Sequence, residues 1–364
     1  MVYKLIILII VIIINGTISM MVLPSDLNIH YVGRIDKTQS NHYYSFSWSG
    51  CQIIVNITGI TEIKAILNSE KPNWFDVFIN GQLNNVFNVT LSAPQQQIIT
   101  IANNLNSNDI YQIKISKRTE AEFGQVNFYG FQIDDNDENF KLFTYKPLTN
   151  RKFEFIGDSI ATGYGDMGKA PCAFTESTEN VDVSFVSDIT NQLLGEMSVI
   201  AWEGKGVVKN YGSPTPISNP NEPTLPDLYP YILPLSDNSS FWNASQFIPD
   251  VLVINLGSND YTDLPYPPND YFQVKFIEFV KSIIINYNNQ IPKIFFICGV
   301  MVNEHPCCTI TEAVSNVFNA TYIDMPNIQN SSDDFGCYGH PTIIAHAHMA
   351  SIAIPIIKQV MNWE

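Results

Sequence analysis

The repeat of apolar residues changes once along this chain, near residue 140, and that change decides what each half can become. Before it, short apolar runs alternate with polar residues, as in Gln52-Ile53-Ile54-Val55-Asn56-Ile57 and Phe75-Asp76-Val77-Phe78-Ile79. Tyr111-Gln112-Ile113-Lys114-Ile115 and Val126-Asn127-Phe128-Tyr129-Gly130-Phe131 continue the pattern. A period of two sends alternate side chains to opposite faces, so these runs are strands with one face toward a core. Asn80-Gly81 follows the second run and suits a tight hairpin, because both residues tolerate positive φ. Residues 28–140 therefore read as an all-β sandwich.

Asp134-Asp135-Asn136-Asp137-Glu138-Asn139 is polar, acidic and without periodicity, which is what a solvated boundary needs. After it, strands alternate with helices. Phe153 to Gly157 reads as a strand, Asp182 to Leu194 as a helix closed by Gly195, Met197 to Ala201 and Val251 to Leu256 as strands, and Asp270 to Tyr287 as an amphipathic helix. Ile294 to Val300 is a further strand, and a helix from about Pro341 ends the chain. Such alternation specifies a parallel sheet covered on both faces, so residues 150–364 are expected to form an α/β domain. A long Pro-, Asn- and Ser-rich segment from Gly206 to Pro249 interrupts it, and loops of that length wall functional sites or are disordered.

Two domains fit the length of 364 residues, and the composition, 45% hydrophobic and 15% charged, is that of a folded protein. A net charge of −16 with no Lys/Arg cluster disfavours a nucleic-acid partner. Lys4 followed by the apolar run Leu5–Ile14 is too short to span a bilayer and reads as a signal peptide, residues 1–19, with Thr17 and Ser19 placed for cleavage. The implied destination is extracellular, or the lumen of the secretory–lysosomal pathway, with no stable membrane span after cleavage. Asn-x-Ser/Thr acceptors at Asn56, Asn88, Asn238, Asn243, Asn319 and Asn330 agree with that route. So do six cysteines, Cys51, Cys172, Cys298, Cys307, Cys308 and Cys337, an even set whose bridges are expected mostly in the second half. A zinc site from His305, Cys307 and Cys308 is the rival, and it lacks paired C-x-x-C spacing.

In parallel α/β sheets the reacting residues gather beyond the carboxyl ends of the strands. Four blocks fall there: Ser159 in Gly157-Asp158-Ser159, Gly204 in Trp202-Glu203-Gly204-Lys205-Gly206, Asn259 in Gly257-Ser258-Asn259-Asp260, and His340 in Gly336-Cys337-Tyr338-Gly339-His340-Pro341. A serine needs a base to become nucleophilic, and an acyl transition state needs donors for its oxyanion; these residue types supply both. Asp260 alone reads as a turn residue. His346 and His348, two apart on a helix, point to different faces and make a poor metal pair.

These blocks, in this order, resemble those of the SGNH, or GDSL-like, hydrolases. Within that superfamily the chain is similar to carbohydrate esterase family 2, the acetylxylan esterase type. The resemblance rests on Phe155-Ile156-Gly157-Asp158-Ser159-Ile160-Ala161-Thr162-Gly163-Tyr164-Gly165, Pro171-Cys172-Ala173-Phe174, Thr178-Glu179-Asn180, Asn255-Leu256-Gly257-Ser258-Asn259-Asp260, the His340 block and Lys117-Arg118-Thr119-Glu120-Ala121. It implies a jelly-roll-like sandwich before a three-layer SGNH domain. It implies Ser159 as nucleophile and His340 as base, with the oxyanion held by the N–H groups of Ser159 and Gly204 and the Asn259 amide, Gly206 being the alternative to Gly204. It requires neither metal nor organic cofactor, and its substrate is an acetylated polysaccharide or oligosaccharide, xylan- or glucomannan-like. Trp202, Trp242 and Tyr261 are candidates for stacking on sugar rings.

The chain departs from the superfamily where an Asp should stand three residues before the His, because Cys337 is there. A Ser–His dyad is the reading, with Asp333 or Asp334 looping back as the alternative orienting carboxylate. Two other functions remain open on the sequence: an SGNH esterase or lipase for non-carbohydrate esters, and a catalytically weak carbohydrate-binding surface protein.

Overall fold

The computed structural model describes residues 11–14, 17–38, 42–134, 139–237, 239–288, 290, 292–302, 306–325 and 328–364. The alternating half forms two antiparallel sheets, each of six strands among the described residues. One is built on Gln52–Thr58, Tyr111–Lys117 and Asn73–Ile79, the other on Val126–Asp134 and Ile63–Ser69. Asn73–Ile79 and Gln82–Val89 are a hairpin whose turn residues Asn80 and Gly81 both take positive φ, 51° and 82°, as the dipeptide requires.

The sandwich extends beyond residues 28–140 at both ends. Thr17–Val22 pairs with Val126–Asp134, and Lys141–Phe143 adds an edge strand to Gln52–Thr58. Most of the expected leader, residues 1–10, 15 and 16, lies outside the described residues. Cleavage after Ser19 would leave Met20–Val22 paired with Phe131–Ile133. The acidic residues 135–138 also lie outside the described residues.

The second half is a five-stranded parallel sheet, β1 (Lys152–Gly157), β2 (Glu196–Ala201), β3 (Val251–Asn255), β4 (Lys293–Cys298) and β5 (Thr321–Asp324), in the order β2-β1-β3-β4-β5. Alternate residues of β1 serve the two faces. Phe153 and Phe155 pack with α2 (Phe185–Gln192) and α5 (Ile343–Met361), which follow the short helix α1 (Ser159–Thr162) in numbering. Ile156, with Leu252 and Ile254 of β3, packs with α3 (Asn269–Asn286) and α4 (Cys307–Val317). This is the three-layer arrangement that strand–helix alternation specifies. α5 is long and apolar enough to cross a membrane, but Ala345, Met349, Ala353 and Ile357 on its inner face are wholly buried against the sheet.

The two halves share one continuous core. Trp48 of the sandwich meets Trp202 edge to face at 6.2 Å, and buried Arg34 pairs with Glu154 of β1 at 3.3 Å. The described residues of the segment 206–249 form part of this junction. Leu225, Leu228, Tyr229 and Leu233 are buried, Arg34 donates to the Tyr229 carbonyl, and Trp48 Nε1 donates to the Tyr231 carbonyl at 3.2 Å.

Four of the six cysteines are bridged, Cys172–Cys337 and Cys298–Cys308, both in the second half. Cys51 and Cys307 are buried free thiols, because neither faces a thiol that is not already bridged. The bridge uses up Cys308 and removes the zinc alternative; His305 lies outside the described residues. Among the acceptor asparagines, Asn243, Asn319 and Asn330 are exposed. Asn56 and Asn88 are half-buried strand residues rather than loop residues, Asn56 being paired on both sides with Gln112 and Phe143. Asn238 lies outside the described residues.

Candidate active site

Because β1 sits between β2 and β3, the loops that leave these three strands meet above the sheet. Gly157 of β1 is level with Ala201 of β2 and Asn255 of β3 in the parallel register. The chain therefore brings Ser159 out centrally, with the Gly204 loop on one side and the Asn259 loop on the other. A sharp turn needs room: a Cβ on Gly157 would lie 2.5 Å from the Ala161 Cβ. Asp158 caps the short helix, accepting the Ile160 N–H at 3.1 Å through Oδ1 and the Ser258 hydroxyl through Oδ2. It thereby ties the serine turn to the loop after β3. Burial raises the Asp158 carboxyl to about 6.

His340 Nε2 lies 2.8 Å from Ser159 Oγ, and both residues are buried. The imidazole rests beside Tyr164, ring centroids 4.7 Å apart, and Tyr164 is stacked on Phe174 at 3.8 Å. Burial lowers the His340 pKa to about 4, which the carbonyls of Cys337 and Tyr338 only partly oppose. A neutral ring that accepts the serine proton at Nε2 must carry its own proton on Nδ1. No carboxylate reaches Nδ1 among the described residues, and the two carbonyls act on the ring without making a well-aligned bond to that nitrogen.

Asp334 is therefore not the orienting acid. Its Oδ2 accepts the N–H groups of Asn330 and Ser331 and caps the turn Ser332–Asp334. Asp333 pairs with Lys169 at 2.6 Å on the surface. The His340 loop is held from elsewhere: the Cys172–Cys337 bridge, Cys337 N–H to Gly165 O at 3.0 Å, and Tyr338 N–H to Cys172 O at 3.1 Å. The position where the superfamily has its acid thus carries a covalent link to the loop that follows the nucleophile.

Gly204 takes φ +68°, and its N–H makes no bond to the described protein, whereas the Gly206 N–H is directed at Asn210 Oδ1 at 3.3 Å. A Cβ on Gly206 would lie 2.1 Å from the Lys209 carbonyl, so that glycine is there for packing. Asn259 Nδ2 donates to the Lys205 carbonyl at 3.0 Å, which fastens the amide to the Gly204 loop and leaves its second N–H for another acceptor. Asp260, read from the sequence as a turn residue, is instead a buried anchor: its carboxylate accepts the N–H groups of Val207, Val208 and Lys209 at 2.8–2.9 Å. Only the fold brings residues 207–209 to it, so no local pattern announces that role.

Trp202 and Tyr261 do not line a cleft. Both are buried, Trp202 against Trp48 and Tyr261 between Phe272 and Tyr266, with the Tyr261 hydroxyl donating to Asn269. Trp242 is half-buried with the Arg34 guanidinium 5.4 Å over its ring. The exposed aromatics near the site are Tyr338, at a left-handed φ of 51°, and Tyr211 beside Gly204. Tyr338 and Gly339 border an open groove of about 520 Å³ with Ala170–Ala173. His346 is buried in the core, and His348 is exposed. No cluster of metal ligands is present among the described residues.

A parallel sheet in this order, with a serine on the tight turn after its first strand, is the SGNH-like hydrolase fold. Comparison with known proteins narrows the class. The carbohydrate esterase 2 N-terminal family model matches residues 31–141. A solved family two carbohydrate esterase from Clostridium thermocellum, in complex with cellohexaose, is 30% identical with a TM-score of 0.82, covering 92% of this chain and all of that one. The cellulase/esterase CelE of Acetivibrio thermocellus is 30% identical over 92% of this chain, which spans 39% of CelE's length. An acetylxylan esterase / glucomannan deacetylase of Cellvibrio japonicus is 22% identical over 96% of this chain and 95% of its own. The chain belongs to carbohydrate esterase family 2.

Proposed function

We propose that this protein is a serine esterase that removes O-acetyl groups from polysaccharide outside the cytoplasm. The observation that carries the reading is the 2.8 Å contact between Ser159 Oγ and the neutral, buried His340 Nε2 at the carboxyl end of the sheet. Ser159 Oγ attacks the acetyl carbonyl while its proton passes to His340 Nε2. The negative oxygen of the tetrahedral intermediate is met by the N–H groups of Ser159 and Gly204 and by Asn259 Nδ2. The imidazolium then returns its proton to the departing sugar oxygen, leaving acetyl-Ser159, and water repeats the sequence in reverse roles.

A sugar as the acyl acceptor is supported by family membership and by the relatives' names, an acetylxylan esterase and an enzyme crystallised with cellohexaose. The open groove beside Tyr338 is consistent with a chain-like substrate. Acetate release from acetylated xylan and glucomannan, set against hydrolysis of long-chain esters, tests this. Acetylated polysaccharide is the expected preference, and Ser159→Ala should abolish it; a long-chain preference would overturn the substrate. Binding of sugar without acetate release would favour a binding protein. Secretion is tested by amino-terminal sequencing of the exported protein.

A further inference from the structure

Beside the Trp48–Trp202 contact, a buried carboxyl group joins the sandwich to the oxyanion loop. Glu120 ends the run Lys117-Arg118-Thr119-Glu120, which leaves the strand Tyr111–Lys117, and it is fully buried. Its Oε2 accepts the backbone N–H of Glu203 at 2.5 Å, immediately before Gly204. Its own N–H donates to Glu179 Oε2 at 3.1 Å, and its carbonyl accepts the buried Lys117 ammonium at 3.0 Å. Glu179 precedes Asn180, whose N–H donates to the carbonyl of Gly163, the cap of the nucleophile helix, and whose amide donates to Asp76 of the sandwich at 3.0 Å. One sandwich turn therefore grips the serine turn on one side and the Gly204 loop on the other.

This arrangement is expensive to build. Burial and the neighbouring Glu179 charge both push the Glu120 carboxyl upward, and Glu120 Oε1 and Glu179 Oε1 have no hydrogen-bond partner among the described residues. Unpartnered buried carboxyl oxygens need a reason. The bond to Glu203 supplies one: Gly204 sits in a left-handed conformation with its N–H unbonded among the described residues, and a misdirected peptide there would remove an oxyanion donor.

We propose that Glu120 is a positioning residue for the hydrolysis: the sandwich, through this carboxyl group, fixes the direction of the Gly204 N–H toward the oxyanion. The inference rests on the esterase reading above. It makes the amino-terminal domain part of the catalytic device rather than an appended module.

The test compares Glu120→Gln, Glu120→Asp and Glu120→Ala in the full chain, with 4-nitrophenyl acetate as substrate and an alkyl boronic acid as the tetrahedral mimic on serine. Glutamine keeps an acceptor at the same reach, so Glu120→Gln should hold kcat close to wild type. Glu120→Asp retracts the acceptor and Glu120→Ala removes it. Both should lower kcat about tenfold to a hundredfold, short of the full loss of a donor, with KM nearly unchanged and boronate inhibition weakened in parallel. If Glu120→Ala does not fold, the Gln and Asp pair still decides. Wild-type kcat in Glu120→Asp, or a loss confined to KM or to melting temperature, would overturn the proposal. Ser159→Ala runs beside them: retained acetate release there refutes the esterase mechanism, whereas its loss with an unaffected Glu120→Asp refutes only this positioning role.

Discussion

Lowering the pH titrates the one group on which proton transfer depends, and the structure sets where that titration falls. His340 accepts the serine proton only when neutral. With burial drawing its pKa from 6.5 to about 4, the charged ring is disfavoured by roughly 3 kcal/mol relative to an exposed histidine. At pH 5 about nine-tenths of the enzyme would then hold a neutral His340, against about 3% for an unperturbed ring. The assay is kcat/KM for an acetate ester from pH 3.5 to 8, where free-enzyme ionisations are read directly. Activity at pH 5 should be close to that at pH 7.5, and the acid limb should fall near pH 4. Acid also strains the fold through the same residue. The unfolded chain takes up this proton below about pH 6.5 and the folded one only below about 4, so that part of the stability is complete above 6.5 and is lost as pH falls through 4. His346, lowered to about 3 by burial, adds to the loss. Samples held at each pH and returned to pH 7 before assay separate unfolding from titration. A reversible acid limb centred at 6.5 would refute the reasoning.

Three further outcomes follow from the geometry. Replacing Cys172 and Cys337 together by serine should cost about 2–5 kcal/mol in denaturant unfolding. It should also lower kcat more than it changes KM, since the bridge anchors the His340 loop; unchanged kcat would show that the loop's hydrogen bonds suffice. Asp260→Ala orphans three buried N–H groups of residues 207–209 and should destabilise the protein by about 3 kcal/mol or more, read as a lowered melting temperature. Asn259→Ala should reduce kcat about a hundredfold or more with a smaller change in KM, measured with 4-nitrophenyl acetate.

Local pattern made much of this fold legible. The hairpin at Asn80-Gly81, the strands β1 to β4 and the long helices follow from apolar period and turn chemistry within a few residues of their observed bounds. The short strand Thr321–Asp324 is too brief to show a period, and the inner face of the helix Cys307–Val317 is completed by Thr311 and Ser315, whose polar side chains break the apolar pattern there. Thr17–Val22 was masked by its place in a leader-like stretch. At the site, Ser159, Gly204 and Asn259 were readable because each follows a strand end, whereas His340, well beyond Thr321–Asp324 and just before the last helix, was readable from its Gly336–Pro341 block alone. Glu120, Glu179 and Asp260 were not, because their partners lie 51 to 83 positions away in sequence and become neighbours only in the folded chain, those of Glu120 when the two halves pack and those of Asp260 when residues 207–209 fold back within the second half. Aromatic residue type misled at Trp202 and Tyr261, where a large ring next to a motif belongs to the core beneath it.

The central claim is covalent chemistry at Ser159, and mass spectrometry of the peptide that carries it, after treatment with a phosphonate ester, tests that most directly. A single phosphonyl adduct on Ser159, absent from His340→Ala and formed in step with the loss of esterase activity, is the expected result. Activity lost without an adduct on Ser159, or an adduct on another residue, would contradict the account.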